Sequence, residues 1–162
     1  MEKDKEYLIL SMLRQNSRAS LTEMSKYTRI PVSTIYDRLK VYRSGLIKKY
    51  TSLIDFTQMG FTTRAAILLK SPGDQRDNLK EFLLKHQSVN NLLKVNNGYD
   101  FFVEAIFKTI QEMELFMESL EIKFGVDKKQ AFYIVDEFKR EGFMSNPEYV
   151  KLCWHEPLVE TI

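Results

Sequence analysis

Residues 20–45 read SLTEMSKYTRIPVSTIYDRLKVYRSG, and this stretch specifies two helices with a tight turn between them. Ser20-Leu21-Thr22-Glu23 is a capping box: the Ser hydroxyl can accept from the amide of residue 23 while the Glu carboxylate reaches back to the Ser amide. The spacing predicts a short helix with Leu21 and Met24 facing inward, ending near Tyr27. After Thr28, Arg29 and Ile30, Pro31 suits the opening of another helix, because its missing amide is one that no helix could satisfy. Ile35, Leu39 and Tyr42 fall at i, i+4 and i+7 and define a buried stripe, and Gly45 is expected to supply a left-handed stop.

Working outward, residues 4–16 place Tyr7, Leu10 and Leu13, with Ile9 beside them, at amphipathic helical spacing. Leu46 to Thr51 is a β-type run, read as wing and linker together. Beyond Thr62 the pattern changes. β-type segments at Thr62–Lys70, Val89–Val95, Phe101–Phe107 and Gln130–Phe138 alternate with two helical patterns, one carried by Leu79, Phe82, Leu83 and His86, the other by Ile110, Met113, Met117, Leu120 and Phe124. The order βαββαβ predicts a ferredoxin-like antiparallel sheet with both helices on one face, and the bare face calls for a cover, such as a second copy of the chain. Asn96-Asn97-Gly98-Tyr99-Asp100 reads as the hairpin between the middle strands. The expected class is α+β: a winged helix-turn-helix domain over residues 1–47, a linker strand over 48–61, a ferredoxin-like ligand-sensing and oligomerisation domain over 62–140 and a C-terminal extension over 141–162.

Composition narrows the function. The chain has 162 residues, 44% hydrophobic and 28% charged, with no apolar run of the roughly 20 residues that a bilayer demands. The start, MEKDKEYLIL, lacks a signal core, so a cytoplasmic location is expected. One cysteine, Cys153, excludes an internal disulfide; His86 and His155 lie too far apart for zinc-ligand spacing, and Cys153-Trp154-His155 is too sparse for a metal site. No cofactor is expected. The formal net charge of +2 hides an asymmetry: residues 1–50 hold 11 Lys and Arg against 5 Asp and Glu, whereas residues 51–162 hold 13 against 17. A basic module suited to a polyanion precedes an acidic one.

Removing the buried stripe from the helix after Pro31 leaves side chains suited to a DNA groove. Ser33, Tyr36 and Lys40 form a reading stripe, with Val32 at the entering end, able to meet a thymine methyl group, and Thr34 beside it. Arg38, Arg43, Lys48 and Lys49 are expected on phosphates, which set affinity and register without reading sequence. Asp37 fits least: near phosphates it must accept from a cytosine amino group or pair with Arg38.

Residues 6–51 resemble the N-terminal domain of the leucine-responsive, or feast/famine, regulators of the Lrp/AsnC family. Ile9-Leu10-xx-Leu13, Arg18-x-Ser20-xx-Glu23-Met24-Ser25, Ser33-Thr34-Ile35-xx-Arg38-Leu39 and Ser44-Gly45-Leu46-Ile47-xx-Tyr50-Thr51 match the family pattern in order and spacing. The likeness continues through Gly60-Phe61-Thr62-Thr63, Gly98-Tyr99-Asp100 and Gly125-Val126 in the βαββαβ region. It implies a transcriptional regulator that binds double-stranded DNA as a homodimer or higher even-numbered homo-oligomer. It also implies an amino-acid effector near Asn97, Gly98, Tyr99 and Asp100, with Asp100 as acceptor for the ammonium and the Gly98 turn offering donors to the carboxylate. Two departures lie in the turn: Arg29 stands where glycine is common and Pro31 where a serine cap is common, each costing about 1 kcal/mol. Lys129 and Ala131 replace common threonines in the sensing domain. Two alternative readings use the same architecture: a tetrapyrrole-type decarboxylase, for which His86 and His155 are the available histidines, and an effector-binding module without DNA binding.

Overall fold

The structure is a computed structural model and describes residues 2–149. Cys153, Trp154 and His155, and with them most of the expected C-terminal extension, lie outside the described residues. The described chain divides into two compact units, one of residues 2–53 with 138–149 and the other of residues 54–137.

The first unit contains α1 (Glu2–Gln15), α2 (Leu21–Thr28) and α3 (Val32–Arg43). The capping box is formed: the Ser20 amide donates to Glu23 Oε2 at 2.7 Å and the Glu23 amide donates to Ser20 Oγ at 3.2 Å. Ile9, Met24, Ile30, Ile35, Leu39 and Tyr42 make the core, edged by Leu10, Leu13, Leu21 and Ile47. The α3 stripe is the expected one, whereas the α1 stripe is centred on Ile9, with Tyr7, Leu10 and Leu13 only half-buried. Burial of Ile9 turns the expected stripe to the margin of the helix contact.

The turn between α2 and α3 keeps its left-handed shape without glycine. Arg29 sits at φ 57°, and its amide donates to Ser25 O at 2.9 Å, closing α2. Thr28 supports the turn from inside, its hydroxyl donating to Met24 O at 2.7 Å and accepting from the Ile30 amide at 3.3 Å. Pro31 stands immediately before α3, which has no side-chain cap. The expectation at Gly45 is corrected. α3 ends through Ser44 in right-handed geometry, and Gly45 does not adopt positive φ. The Ser44 hydroxyl and the Ile47 amide donate to Val41 O and Tyr42 O, at 2.7 and 2.8 Å, so the terminal carbonyls are satisfied without a left-handed residue. The run from Leu46 to Thr51 is also corrected: it forms no strand among the described residues.

The second unit is a four-stranded antiparallel sheet in the order β2-β3-β1-β4, built from β1 (Thr63–Lys70), β2 (Val89–Lys94), β3 (Phe101–Phe107) and β4 (Lys128–Tyr133), with α4 (Arg76–Lys85) and α5 (Ile110–Phe124) between them. This is the ferredoxin-like order. Alternation decides the faces: Ala65, Ile67 and Leu69 of β1 and Phe101, Val103, Ala105 and Phe107 of β3 bury against Leu79, Leu83, Met113, Phe116, Met117 and Leu120 of the helices. β4 lies two residues earlier than expected at its start and ends at Tyr133, because its register with β1 runs from Lys70↔Lys128 to Ala65↔Tyr133.

No helix among the described residues covers the opposite face. Rows set by the register cross it: Leu93, Phe102, Leu68 and Gln130, then Asn91, Glu104, Ala66 and Phe132. Within this largely apolar face Glu104 is buried, accepting from Arg64 Nε and from Asn91 Nδ2, each at 2.6 Å, while Arg64 also pairs with Glu137. The charge is tolerated there because it is paired and hydrogen-bonded.

The hairpin between β2 and β3 turns at Asn97 and Gly98, with φ of 61° and 88°, as the Asn-Gly pair requires. It delivers Asp100 to the end of β1, where its carboxylate accepts from the Ser71 amide at 3.0 Å and pairs with Arg76 at 3.0 Å and Lys70 at 3.4 Å.

Two predictions follow from these strained or charged positions. Arg29→Gly relieves a left-handed side chain and should raise unfolding stability by about 1 kcal/mol in denaturant titration; an unchanged or lower midpoint would show that the Arg side chain compensates the strain. Burial pushes the Asp100 carboxyl up, but the Ser71 amide, Lys70 and Arg76 outweigh it and hold the pKa below the ordinary carboxylate value. A depressed pKa contributes stability above the unfolded-state value that is lost as pH falls through the folded one. Asp100→Asn should therefore lower stability by about 1–3 kcal/mol at pH 7, with the gap to wild type closing in acid. A gap that stays constant or widens in acid would contradict it.

Candidate nucleic-acid interface

Because Ile35, Leu39 and Tyr42 are buried, the other side of α3 is turned to solvent. Val32, Ser33, Tyr36, Asp37 and Lys40 are exposed there, and Thr34 is half-buried at the flank. Tyr36, at 57% exposure, is a large aromatic side chain left uncovered beside a lysine. In water this is an unfavourable place for a ring; against base edges it contributes both apolar contact and a hydroxyl. The helix also starts with a bare N-terminal turn, since Pro31 caps nothing, so its first amides are directed outward. An anion is the natural partner for such amides, and they sit beside Val32 and Ser33.

The cations around the helix separate into two kinds. Arg43, Lys48 and Lys49 are exposed, and the Arg43 guanidinium lies 5.8 Å from the Tyr50 ring centroid, a cation–π contact that holds the extended run beside the end of α3. Arg38 behaves differently. It turns neither to Asp37 nor outward, but forms an ion pair with Glu6 of α1, so its charge ties two helices together. The expected phosphate role therefore sits better with Arg43, Lys48 and Lys49. Arg29, exposed in the strained turn, stands at the open end of α3 as a further cation. Neither the Glu6 pairing nor the Tyr50 stacking has a signature in local spacing, because both join separate elements.

The four hairpin residues expected near an effector come together at one end of the sheet. Lys128 Nζ lies 4.5 Å from the Tyr99 ring centroid, and the Tyr99 hydroxyl is 3.3 Å from Gln130 Oε1. A Cβ at Gly98 would lie 3.3 Å from the flexible end of Lys128, and it is the φ of 88° that favours glycine there. Asp100 is already engaged by the Ser71 amide, Arg76 and Lys70. Lys70, Arg76 and Lys128 were not legible as neighbours in the sequence; the β1–β4 register, with Lys70 opposite Lys128, assembles them. The cluster is cationic overall and suits a carboxylate better than an ammonium group.

His86 offers little for acid–base chemistry. Its ring packs against Phe82 and Phe116, with centroids at 5.2 and 4.7 Å, and Nδ1 accepts from the Ser88 amide at 3.2 Å. Burial, together with the nearby Lys123 charge, pushes its pKa below the ordinary value. His155 lies outside the described residues. Among the described residues no helix is long and apolar enough to cross a membrane.

No model of a known protein family matches the sequence. Among curated proteins the chain is similar to an uncharacterised HTH-type transcriptional regulator of Pyrococcus furiosus, 29% identical over 140 residues, which span 86% of this chain and 94% of the relative. Its fold is similar to that of LrpC from B. subtilis, with a TM-score of 0.73 at 15% identity over 81% of this chain and 92% of the other. It is also similar to the feast or famine regulatory protein of M. tuberculosis complexed with L-methionine, with a TM-score of 0.78 at 17% identity over 86% and 96%. The resemblance read from the sequence therefore extends through both units: the chain has the fold of the Lrp/AsnC regulators and is similar in sequence, over most of its length, to proteins described as HTH-type transcriptional regulators.

Proposed function

We propose that this protein is a sequence-specific DNA-binding transcriptional regulator that places α3 in the major groove. The observation that carries this reading is the exposed stripe of Ser33, Tyr36 and Lys40 on a helix whose opposite side is fully committed to the core. Ser33, Tyr36 and Lys40 read base edges, and Val32 meets a thymine methyl group at the entering end. Arg43, Lys48 and Lys49 bind phosphates, and the N-terminal amides of α3 add a contact that needs no side chain. Asp37 accepts from a cytosine amino group. A sequence-reading helix paired by two-fold symmetry implies half-sites about one helical turn, roughly 34 Å, or a multiple of it apart.

The protein works as a homodimer or higher even-numbered homo-oligomer, pairing through the bare sheet face. Leu68, Leu93, Phe102 and Phe132 form an apolar surface there that a second copy would cover. Its activity responds to an amino acid or a similar small effector, bound by the cationic end of the sheet. Lys128 and Arg76 meet the effector carboxylate, with Tyr99 as a wall, while Asp100 holds those cations in place. The protein is cytoplasmic and is not an enzyme; the packing of the His86 ring against Phe82 and Phe116 argues against its use in a tetrapyrrole decarboxylation.

Mobility shift on the protein's own promoter region at two salt concentrations tests the central reading. A complex that weakens steeply with salt is expected, since each neutralised phosphate steepens the dependence; absence of a complex at low salt would refute it. Tyr36→Ala and Lys40→Ala should each weaken operator binding by about 1–3 kcal/mol without changing oligomer size. Equal binding by both variants would remove them from the reading stripe. Lys48→Ala should weaken specific and random DNA alike and reduce the salt slope by about 1; a changed sequence preference would show instead that Lys48 reads bases.

A further inference from the structure

The last residues of the described chain return to the first unit. Residues 138–149 cluster with the helices rather than with the sheet from which they emerge. One side chain supplies three polar contacts to this connection. Arg14, in the last turn of α1, directs all three guanidinium nitrogens at this segment: Nε donates to Phe143 O at 3.1 Å, Nη2 donates to Glu141 O at 3.0 Å, and Nη1 pairs with Glu141 Oε2 at 2.8 Å. These partners stand 127 and 129 positions later in sequence.

The segment is shaped for this contact. Glu141 and Met144 are non-glycine residues in the left-handed region, with φ of 51° and 58°. Such residues persist where surrounding contacts over-determine them. Here they bend the backbone so that two carbonyls of one short loop face a single guanidinium, whose fixed fork geometry matches that arrangement. Inside the loop, the Ser145 hydroxyl donates to Gly142 O at 3.1 Å, and the Glu148 amide donates to Asn146 Oδ1 at 2.9 Å. Phe143 and Met144 line one groove together with Leu10 and Leu13 of α1 and Ile47.

We propose that Phe138–Tyr149 is a strap whose docking surface is the C-terminal end of α1, latched by Arg14, and that the strap makes the helix-turn-helix answer to the state of the sheet. Glu137, at the start of the strap, is held by Arg64 of β1, and Glu141 is held by Arg14. The two pins lie four positions apart in the chain, one on each side of the boundary between the units. α1 in turn is ion-paired to α3 through Glu6 and Arg38. Arg14 is thereby a positioning residue with no nitrogen left for DNA.

The latch can be tested without DNA, whereas the transmission to α3 rests on the DNA-binding reading, and two measurements on the full chain keep them apart. Hydrogen exchange over residues 138–149 should accelerate at least tenfold in Arg14→Ala, and less in Glu141→Gln, which keeps the carbonyl bonds. Exchange over α3 in the free protein should stay as in wild type. Mobility shift on the protein's own promoter should show at least threefold weaker binding by Arg14→Ala, at unchanged oligomer mass, with partial recovery in Arg14→Lys. Identical exchange in wild type and Arg14→Ala would overturn the latch. Faster exchange with unaltered DNA affinity would overturn the transmission. A wild-type protein that binds no DNA would instead count against the regulator reading, leaving the latch to be judged by exchange alone.

Discussion

The burial of Ile35, Leu39 and Tyr42 against Ile9, Met24 and Ile30 is the constraint on which the rest of the first unit depends. A helix with one stripe committed to a core has no rotational freedom, so the side chains on its other side are fixed in direction before any partner arrives. This small core also explains the tolerance of two costs at the turn, a left-handed Arg29 and an uncapped α3. Packing positions the two helices, and the turn only has to connect them. The same economy operates in the sheet, where alternation commits one face to α4 and α5 and puts the buried Glu104 on the other.

Charge divides along the same lines as structure. Arg43, Lys48 and Lys49 of the first unit are exposed and are the cations proposed to meet phosphates, whereas Arg38 and Arg14 are neutralised internally by Glu6 and Glu141. In the second unit Lys70 and Arg76 are held by Asp100, with Lys128 opposite Lys70. Counting basic residues overstates the surface available to a polyanion, because pairing, not composition, decides which charges remain to be used.

Features governed by local periodicity were legible from the residues alone. The capping box, the α3 stripe, the Asn97-Gly98 hairpin, α5 and the strand β3 all follow from spacings of two to seven residues, and they appear as read. What escaped depends on contacts between distant segments. Gly45 carries the ordinary signal for a left-handed stop, yet the Ser44 hydroxyl and the Ile47 amide satisfy the same carbonyls. Leu46 to Thr51 has strand composition but no neighbouring strand to pair with among the described residues. β4 is shifted because its limits are decided by pairing with β1. Of the candidate site, the exposed side of α3 was legible, whereas the diversion of Arg38 to Glu6 and the capture of Asp100 by Arg76 were not, since ion pairs between residues 32 and 24 positions apart have no local pattern.

The exposed side of α3 is the surface proposed to meet DNA. Hydrogen exchange of the full-length protein, compared with and without a fragment of its own promoter, measures this most directly. The account predicts slowed exchange confined to residues 32–40 and the adjoining run through Tyr50, with the strands of the sheet unchanged. Protection located elsewhere, with residues 32–40 exchanging at the same rate in both samples, would contradict it.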